Sequence, residues 1–237
     1  MKINVNEIFG PTVQGEGKSS GLPVVFLRLA GCNLACAWCD TRYAWDWTNH
    51  DEAKESHPME VGEIASQLSA LAVHFEVDQK KSLVISGGEP LIQHKELLPL
   101  IKFLKDDGWW VEIETNGTVR PPEEFLAIVD QVNCSPKLSN SQDSRKRRVR
   151  PEALAVLGQS EKVYFKFVVE TNQDIDEVKE YVKDHNLEPG RVYLMPLGKT
   201  RDALAITSPM AQQVAAENGF LFSPRLHVEL FGTRRGV

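Results

Sequence analysis

The chain has 237 residues, 42% apolar and 25% charged, the ordinary make-up of a globular protein with enough length for one domain and a substantial core. Its formal charge of −6 argues against a nucleic-acid binder working through a broad basic surface. No run of about eighteen apolar residues is present, so no membrane span is expected. The first residues, Met1-Lys2-Ile3-Asn4-Val5-Asn6-Glu7, carry no apolar signal core, so a cytoplasmic location is expected, where reduced thiols can act as metal ligands.

Residues 3–9 read as a short strand. The stretch 10–17, with Gly10, Pro11, Gly15 and Gly17, is a loop: either a hairpin turn or a loop whose backbone approaches a ligand closely. Residues 24–29 form a β-branched and aromatic strand interrupted by Arg28. A charge inside an apolar strand must be paired. Arg28 therefore makes an internal salt bridge, or it clamps a ligand carboxylate, which a planar guanidinium fits with two parallel bonds.

Cys32, Cys36 and Cys39 follow at the spacing C-x3-C-x2-C. Clustered thiolates suit an iron–sulfur cluster or zinc. Three cysteines on a four-iron cluster would leave one iron open to a small molecule. Other readings stand beside this one. The three positions could be one buried helix face, although Gly31, Asn33 and Asp40 are poor helix formers. A disulfide framework suits neither the clustering nor the composition. A structural zinc site would need a fourth ligand, such as His50, His57 or Cys134.

From Thr41 the chain makes a polar and aromatic excursion with Trp45 and Trp47. A helix is predicted over 63–73, with Ile64, Leu68 and Leu71 on one face. Residues 83–86 are a buried strand running into Gly87-Gly88-Glu89-Pro90, then a helix with Leu97, Ile101 and Leu104 inward. A strand over 110–115 ends in Asn116-Gly117, a helix follows over 121–129, and a strand ends at Cys134-Ser135. Residues 140–150, with Arg145-Lys146-Arg147-Arg148, read as a solvated loop. Then come a strand (163–169), a helix (174–186) with Ile175, Val178, Tyr181 and Val182 inward, a strand (192–195), a helix (209–217), and strand-like segments at 220–222 and 226–231. About six strands in βα register predict a parallel sheet with right-handed crossovers, short of the eight of a closed barrel. The fold class expected is α/β, an incomplete (β/α)6-type barrel in a single domain. The polar and glycine-rich residues recur at the C-terminal ends of strands, the face where such folds bind ligands.

The three-cysteine spacing with Trp38 before its last cysteine, and Gly87-Gly88-Glu89-Pro90 behind a strand, resemble the two motifs of the radical S-adenosylmethionine (SAM) superfamily. The resemblance implies an incomplete barrel and a 4Fe-4S cluster on Cys32, Cys36 and Cys39, with SAM on the open iron. It also implies SAM contacts from Trp38 and Asp40, from Gly87, Gly88 and Glu89 at the amino group, from Ser135, Pro136 and Lys137 at the ribose or carboxylate, and from Met195, Pro196, Leu197 and Gly198 near the adenine. Residues 7–17, 26–33 and 39–41 with Trp45, and islands at 85–91, 113–118 and 134–137, are similar to the 7-carboxy-7-deazaguanine synthases of queuosine and deazapurine biosynthesis.

That family resemblance implies a substrate, 6-carboxy-5,6,7,8-tetrahydropterin, whose ring contracts with loss of ammonia after hydrogen abstraction, without a protein acid or base. It implies backbone contacts to the pterin from Val13, Gln14 and Gly15, acceptance of its amino groups by Glu16, a carboxylate clamp at Arg28, a ring contact from Ser86, and magnesium at Thr41. A homodimer and an electron donor such as flavodoxin or ferredoxin are implied too, with no nucleic-acid or membrane partner. Cys134 and residues 140–150 have no part in this scheme, and His227 either reaches the site or is an ordinary core or surface histidine. The rivals are a glycyl-radical-enzyme activase, which needs no carboxylate clamp, and a non-catalytic zinc-stabilised binding module.

Overall fold

A computed structural model describes residues 1–76 and 79–237. Among these residues the strands form one nine-stranded sheet in the order β3-β1-β2-β4-β5-β6-β7-β8-β9. Strand β1 (Lys2–Val13) pairs antiparallel with both β2 (Pro23–Leu29) and β3 (His57–Glu60). From β2 the sheet is parallel through β4 (Ser82–Gly87), β5 (Trp110–Thr115), β6 (Gln131–Cys134), β7 (Val163–Val169), β8 (Val192–Pro196) and the two-residue β9 (Leu221–Phe222). β3 and β9 are its edges, so it does not close. No helix of the described residues is long and apolar enough to cross a membrane.

The helices between the parallel strands are α2 (Val61–Ala72), α3 (His94–Asp106), α4 (Glu123–Ile128), α6 (Pro151–Gln159), α7 (Asn172–Asp184) and α8 (Arg201–Asn218), with short α1 (Glu52–Glu55), α5 (Arg145–Arg148) and α9 (Leu226–Phe231) in the loops. The period-2 alternation of strand side chains sorts them onto two faces. Val25, Leu27 and Leu29 of β2, Leu83 and Ile85 of β4, Val111 and Ile113 of β5, and Phe165 and Phe167 of β7 join one apolar core with Leu97, Ile101 and Leu104 of α3 and Ile175 and Val178 of α7. The alternate positions, Arg28, Ser86, Glu112, Glu114, Gln131, Asn133 and Lys166, fall on the other face, which is polar although largely buried.

Several boundaries differ from the sequence expectation. β1 runs through Gly10-Pro11, where its register with β2 shifts, and reaches Val13, so the predicted loop begins only at Gln14. Gln14–Leu22 is a hairpin connection closed by Gln14 N–H to the Leu22 carbonyl at 2.9 Å. The predicted helix 209–217 is the second half of α8, which starts under a Thr200 cap donated to by Ala203 N–H and carries Pro209 inside. The segment 226–231, expected as a strand, is helical: six residues of mixed apolar pattern do not distinguish the two periods, and only Val228 is fully buried. Residues 139–141 and 145–148, within the predicted loop, make a 3-10 turn and α5.

Candidate active site

A cavity of about 390 Å³ opens at the C-terminal ends of the parallel strands, where the inner polar face meets the cysteine loop. It brings together Cys32, Cys36, Cys39, Trp38, Asp40 and Thr41 from the loop after β2, and Val13, Gln14, Gly15, Glu16 and Arg28 from the β1–β2 hairpin. Ser86, Gly87 and Gly88 from β4, Ser135 and Lys137 after β6, and Met195 and Leu197 after β8 complete the predicted set. Glu89, Pro136, Pro196 and Gly198 do not line it.

The side chain of Glu89 bonds within the protein. It is fully buried, and its carboxylate accepts bonds from Leu91 N–H (3.0 Å), Thr115 Oγ1 (2.7 Å) and Asn116 N–H (2.6 Å). With both oxygens engaged, it braces the turn after β5. The same turn explains its two glycines. The Gly88 and Glu89 N–H groups donate to the Leu29 and Gly31 carbonyls at 3.1 and 2.9 Å, and a Cβ at Gly88 would collide with the Gly31 carbonyl. Gly87 and Gly88 of this turn line the cavity.

Arg28 makes the predicted ion pair, Nε to Glu7 Oε1 at 2.7 Å. Its two terminal nitrogens have no hydrogen-bond partner among the described residues, and it lines the cavity. Burial works against its charge, but Tyr43 and Glu7 outweigh that and hold its pKa up. The internal ion pair is therefore present, and the other edge of the guanidinium faces the cavity.

Gln14 lines the cavity at the base of the hairpin. Its backbone groups are spent on Leu22 and Gly21, and its amide donates to Glu112 Oε1 (3.0 Å) and Glu114 Oε1 (3.4 Å). Glu16 is held by Lys166 Nζ (2.5 Å) and Arg225 Nε (3.1 Å), with His227 Nε2 at 3.8 Å. Burial favours its neutral form, but these three groups override burial and keep it well below the usual carboxylate range. Ser86 Oγ donates to Glu114 Oε2 at 2.8 Å.

Sequence reasoning assigned no role to Glu114, Asn116, Lys166, Arg225 or Arg235, although Glu114 and Asn116 lie in the island 113–118. Arg225 joins Glu16 to Asp40, pairing with both carboxylates, and Lys199 Nζ donates to the Cys39 carbonyl at 2.8 Å. Arg235 bonds Glu7 (3.0 Å) and Glu55 (2.7 Å) and lies 3.9 Å over the Tyr43 ring, so the C-terminal segment forms part of the rim. His227 lines the cavity. Behind these, Glu112 is buried between Gln14, Ser19, Gln131 and Asn133, and burial pushes its pKa up to about 7.

Residues 27–203 match the family model of the radical SAM superfamily. Over its length the chain is 37% identical to the 7-carboxy-7-deazaguanine synthase of Pyrobaculum aerophilum, covering 99% of this chain and 97% of that one. The chain belongs to the 7-carboxy-7-deazaguanine synthase family of the radical SAM superfamily. It is also 29% identical to the Bacillus subtilis member, covering 99% and 98%. Its fold superposes on the crystal structure of QueE from Escherichia coli with a TM-score of 0.70 at 26% identity, covering 95% of each chain.

Radical SAM membership implies a 4Fe-4S cluster and SAM, and the residues here fit them. All three cysteines of the loop are free thiols facing one cavity. N–H groups already point at their sulfurs: Leu34 N–H to Cys32 Sγ at 3.5 Å and Trp45 Nε1 to Cys39 Sγ at 3.3 Å. Donors aimed at sulfur suit anionic thiolates on a cluster. Without a metal, burial pushes Cys32 up to about 12 and Cys36 up to about 11. Of the three candidate fourth ligands for zinc, Cys134 lies in the apolar core, His57 is exposed on β3, and His50 stands edge-on to Tyr43. Among the described residues no three His, Cys, Asp or Glu side chains close round a single ion.

Proposed function

We propose that this protein is a 7-carboxy-7-deazaguanine synthase, converting 6-carboxy-5,6,7,8-tetrahydropterin to 7-carboxy-7-deazaguanine with release of ammonia. The observation that carries the reading is Arg28, anchored by Glu7 yet presenting two unpartnered nitrogens to the cavity that also holds three thiols. When bound to Cys32, Cys36 and Cys39, the cluster with SAM supplies the one-electron cleavage that starts hydrogen abstraction. Every other part of the proposal falls to the chain's own side chains.

Arg28 holds the pterin carboxylate bidentately. Ser86, Glu114 and the carbonyls beyond β1 read the ring, while Glu16, already fixed by Lys166 and Arg225, offers only its remaining lone pairs to an amino group. Gly87 and Gly88 carbonyls accept from the SAM amino group, and Trp38, Asp40, Ser135, Lys137, Met195 and Leu197 line the rest of its site. Thr41, whose hydroxyl lies 3.6 Å from Cys39 Sγ, is the proposed magnesium ligand beside the substrate carboxylate.

The proposal includes a single-domain homodimer in the cytoplasm, reduced by a flavodoxin- or ferredoxin-type donor. Exposed Arg145, Lys146 and Arg147 favour an acidic donor, because Arg147 bonds the Asn33 carbonyl and so places positive charge beside the cysteine loop. A carboxylate clamp is what a glycyl-radical activase lacks, and a zinc module needs no cavity. The test is iron and sulfide analysis of anaerobically purified protein, followed by SAM cleavage with and without the carboxy-pterin. About four irons per chain and pterin-dependent cleavage are expected. Zinc in place of iron, or cleavage indifferent to the pterin, would overturn the reading.

A further inference from the structure

Residues 140–147 pack against the cysteine loop, and the proposal above gives them only surface charge for a donor. They hold the loop by four hydrogen bonds. Ala35 N–H donates to the Asp143 carboxylate (3.1 Å), Ala37 N–H to the Ser141 carbonyl (2.9 Å) and Trp38 Nε1 to Asn140 Oδ1 (3.1 Å), while Arg147 Nη2 donates to the Asn33 carbonyl (2.8 Å). The bonds therefore fall on the residues between the first and last cysteines. The Asp143 side chain is only 2% exposed, and its charge partner is Arg147, at 3.3 Å.

The segment is itself fixed to the sheet. Asn140 Nδ2 donates to the Val168 carbonyl of β7 at 3.0 Å. Arg148 pairs with Glu177 of α7 at 2.7 Å and donates to the Lys137 carbonyl at 2.9 Å. Glu177 also accepts from Ser139. The geometry is thus continuous from β7 and α7, through residues 139–148, to the cysteine loop.

We propose that residues 140–147 are a preorganising clamp for the cluster loop, and that Asp143 is its positioning residue and also lowers the reduction potential of the bound cluster. The proposal rests on the reading that Cys32, Cys36 and Cys39 hold an iron–sulfur cluster. Two physical arguments support it. Ordering a loop that carries three ligands costs conformational entropy at the moment of binding, and a loop ordered beforehand avoids that cost. Cluster potentials rise with N–H bonds to sulfur and fall with nearby negative charge. Asp143 acts on both, since it fixes Ala35 in the middle of the loop and adds a buried anion.

The test compares wild-type protein with Asp143→Ala, Asp143→Asn and, as a control, Ser144→Ala, whose exposed, uncharged side chain lies in the same segment and makes no cap bond. Reconstitution at graded iron and sulfide gives half-loading, and redox titration followed by electron paramagnetic resonance gives the midpoint potential. Asp143→Ala is expected to need about tenfold more iron and sulfide for half-loading, the worth of one lost charge-assisted bond. Asp143→Asn keeps an acceptor for Ala35 but not the charge, so it loads nearly as wild type and its potential moves upward. Ser144→Ala should match wild type in both. Wild-type loading by Asp143→Ala, or an unmoved potential in Asp143→Asn, overturns the clamp. If Asp143→Ala does not fold, the potential of Asp143→Asn decides alone. A wild-type protein that takes up no iron would refute the cluster reading instead, so the two failures are distinguishable.

Discussion

Arg28 shows how one side chain satisfies a structural demand and keeps a chemical one open. Its anchor, Glu7, also accepts from Arg235 (3.0 Å) and Tyr43 (3.2 Å), so removing Arg28 does not leave that carboxylate unpaired. Arg28→Ala should therefore change the melting temperature little. It should weaken binding of the carboxy-pterin by roughly thirtyfold or more, since a buried charge pair is worth on the order of 2–5 kcal/mol. Arg28→Lys should not restore it, because an ammonium lacks the planar fork. Lost stability with intact affinity would leave Arg28 purely structural. Thr41→Ala should flatten the response of turnover to added magnesium at unchanged iron content, and an unaltered magnesium titration would count against that ligand. Glu112 makes a pH prediction. Its folded pKa of about 7 lies above the unfolded 4.5, so between these values the native state keeps a proton that the unfolded chain releases. Its contribution is therefore full below about pH 4.5 and is lost as pH rises through about 7, on the order of 3 kcal/mol in all. Chemical denaturation at pH 5 and pH 8 should show Glu112→Gln gaining on wild type by that order at the higher pH, and a pH-independent difference would refute it. Arg28 was legible because a charge interrupts an apolar strand. Glu112, Glu114 and Lys166 carry the same signal in β5 and β7 and mark the same inner face. The partnership of Arg225 with Glu16 and Asp40 was not legible, because it joins distant parts of the chain.

At the scale of elements, the turn between β4 and α3 does more than bind a ligand. It docks backbone to backbone against the end of β2, through Gly88 and Glu89 N–H, and so fixes where the cysteine loop begins. Gly88→Ala would drive a methyl group into the Gly31 carbonyl. It should cost about 1–3 kcal/mol by overpacking and reduce iron uptake together with stability. Thermal melting beside iron analysis checks this, and normal values of both would show that the close approach is relaxed at no cost. Strands β5 and β7 were legible to the residue, because β-branched and aromatic residues at period 2 sit between turn signals. β3 was not legible. It is four mostly exposed residues with a proline, and its strand character comes from pairing with β1. Helix α9 was misread because its shape is set by neighbours, with Leu226 N–H bonded to the Gly15 carbonyl and Arg225 to Glu16.

Across the whole molecule, the alternation of strand and helix made the parallel half of the sheet legible, and right-handed crossovers put the strand ends on one side. The antiparallel flank of β1 and β3 and the clamp over residues 140–147 were not, since each depends on contacts between segments far apart in sequence. The result is a cavity whose floor is the inner polar face, whose wall is the cysteine loop, and whose rim includes the C-terminal segment. The account joins two claims about this cavity: its thiols hold the cluster, and its carboxylate clamp selects a pterin. One measurement tests both. Reconstituted protein and its Cys36→Ala variant are incubated anaerobically with SAM, a reductant and 6-carboxy-5,6,7,8-tetrahydropterin, and products are counted by mass spectrometry. The account predicts 7-carboxy-7-deazaguanine from the wild type in excess of SAM consumed, and neither product nor SAM cleavage from a folded Cys36→Ala. Product from Cys36→Ala, or SAM cleavage by the wild type that leaves the pterin untouched, would contradict it.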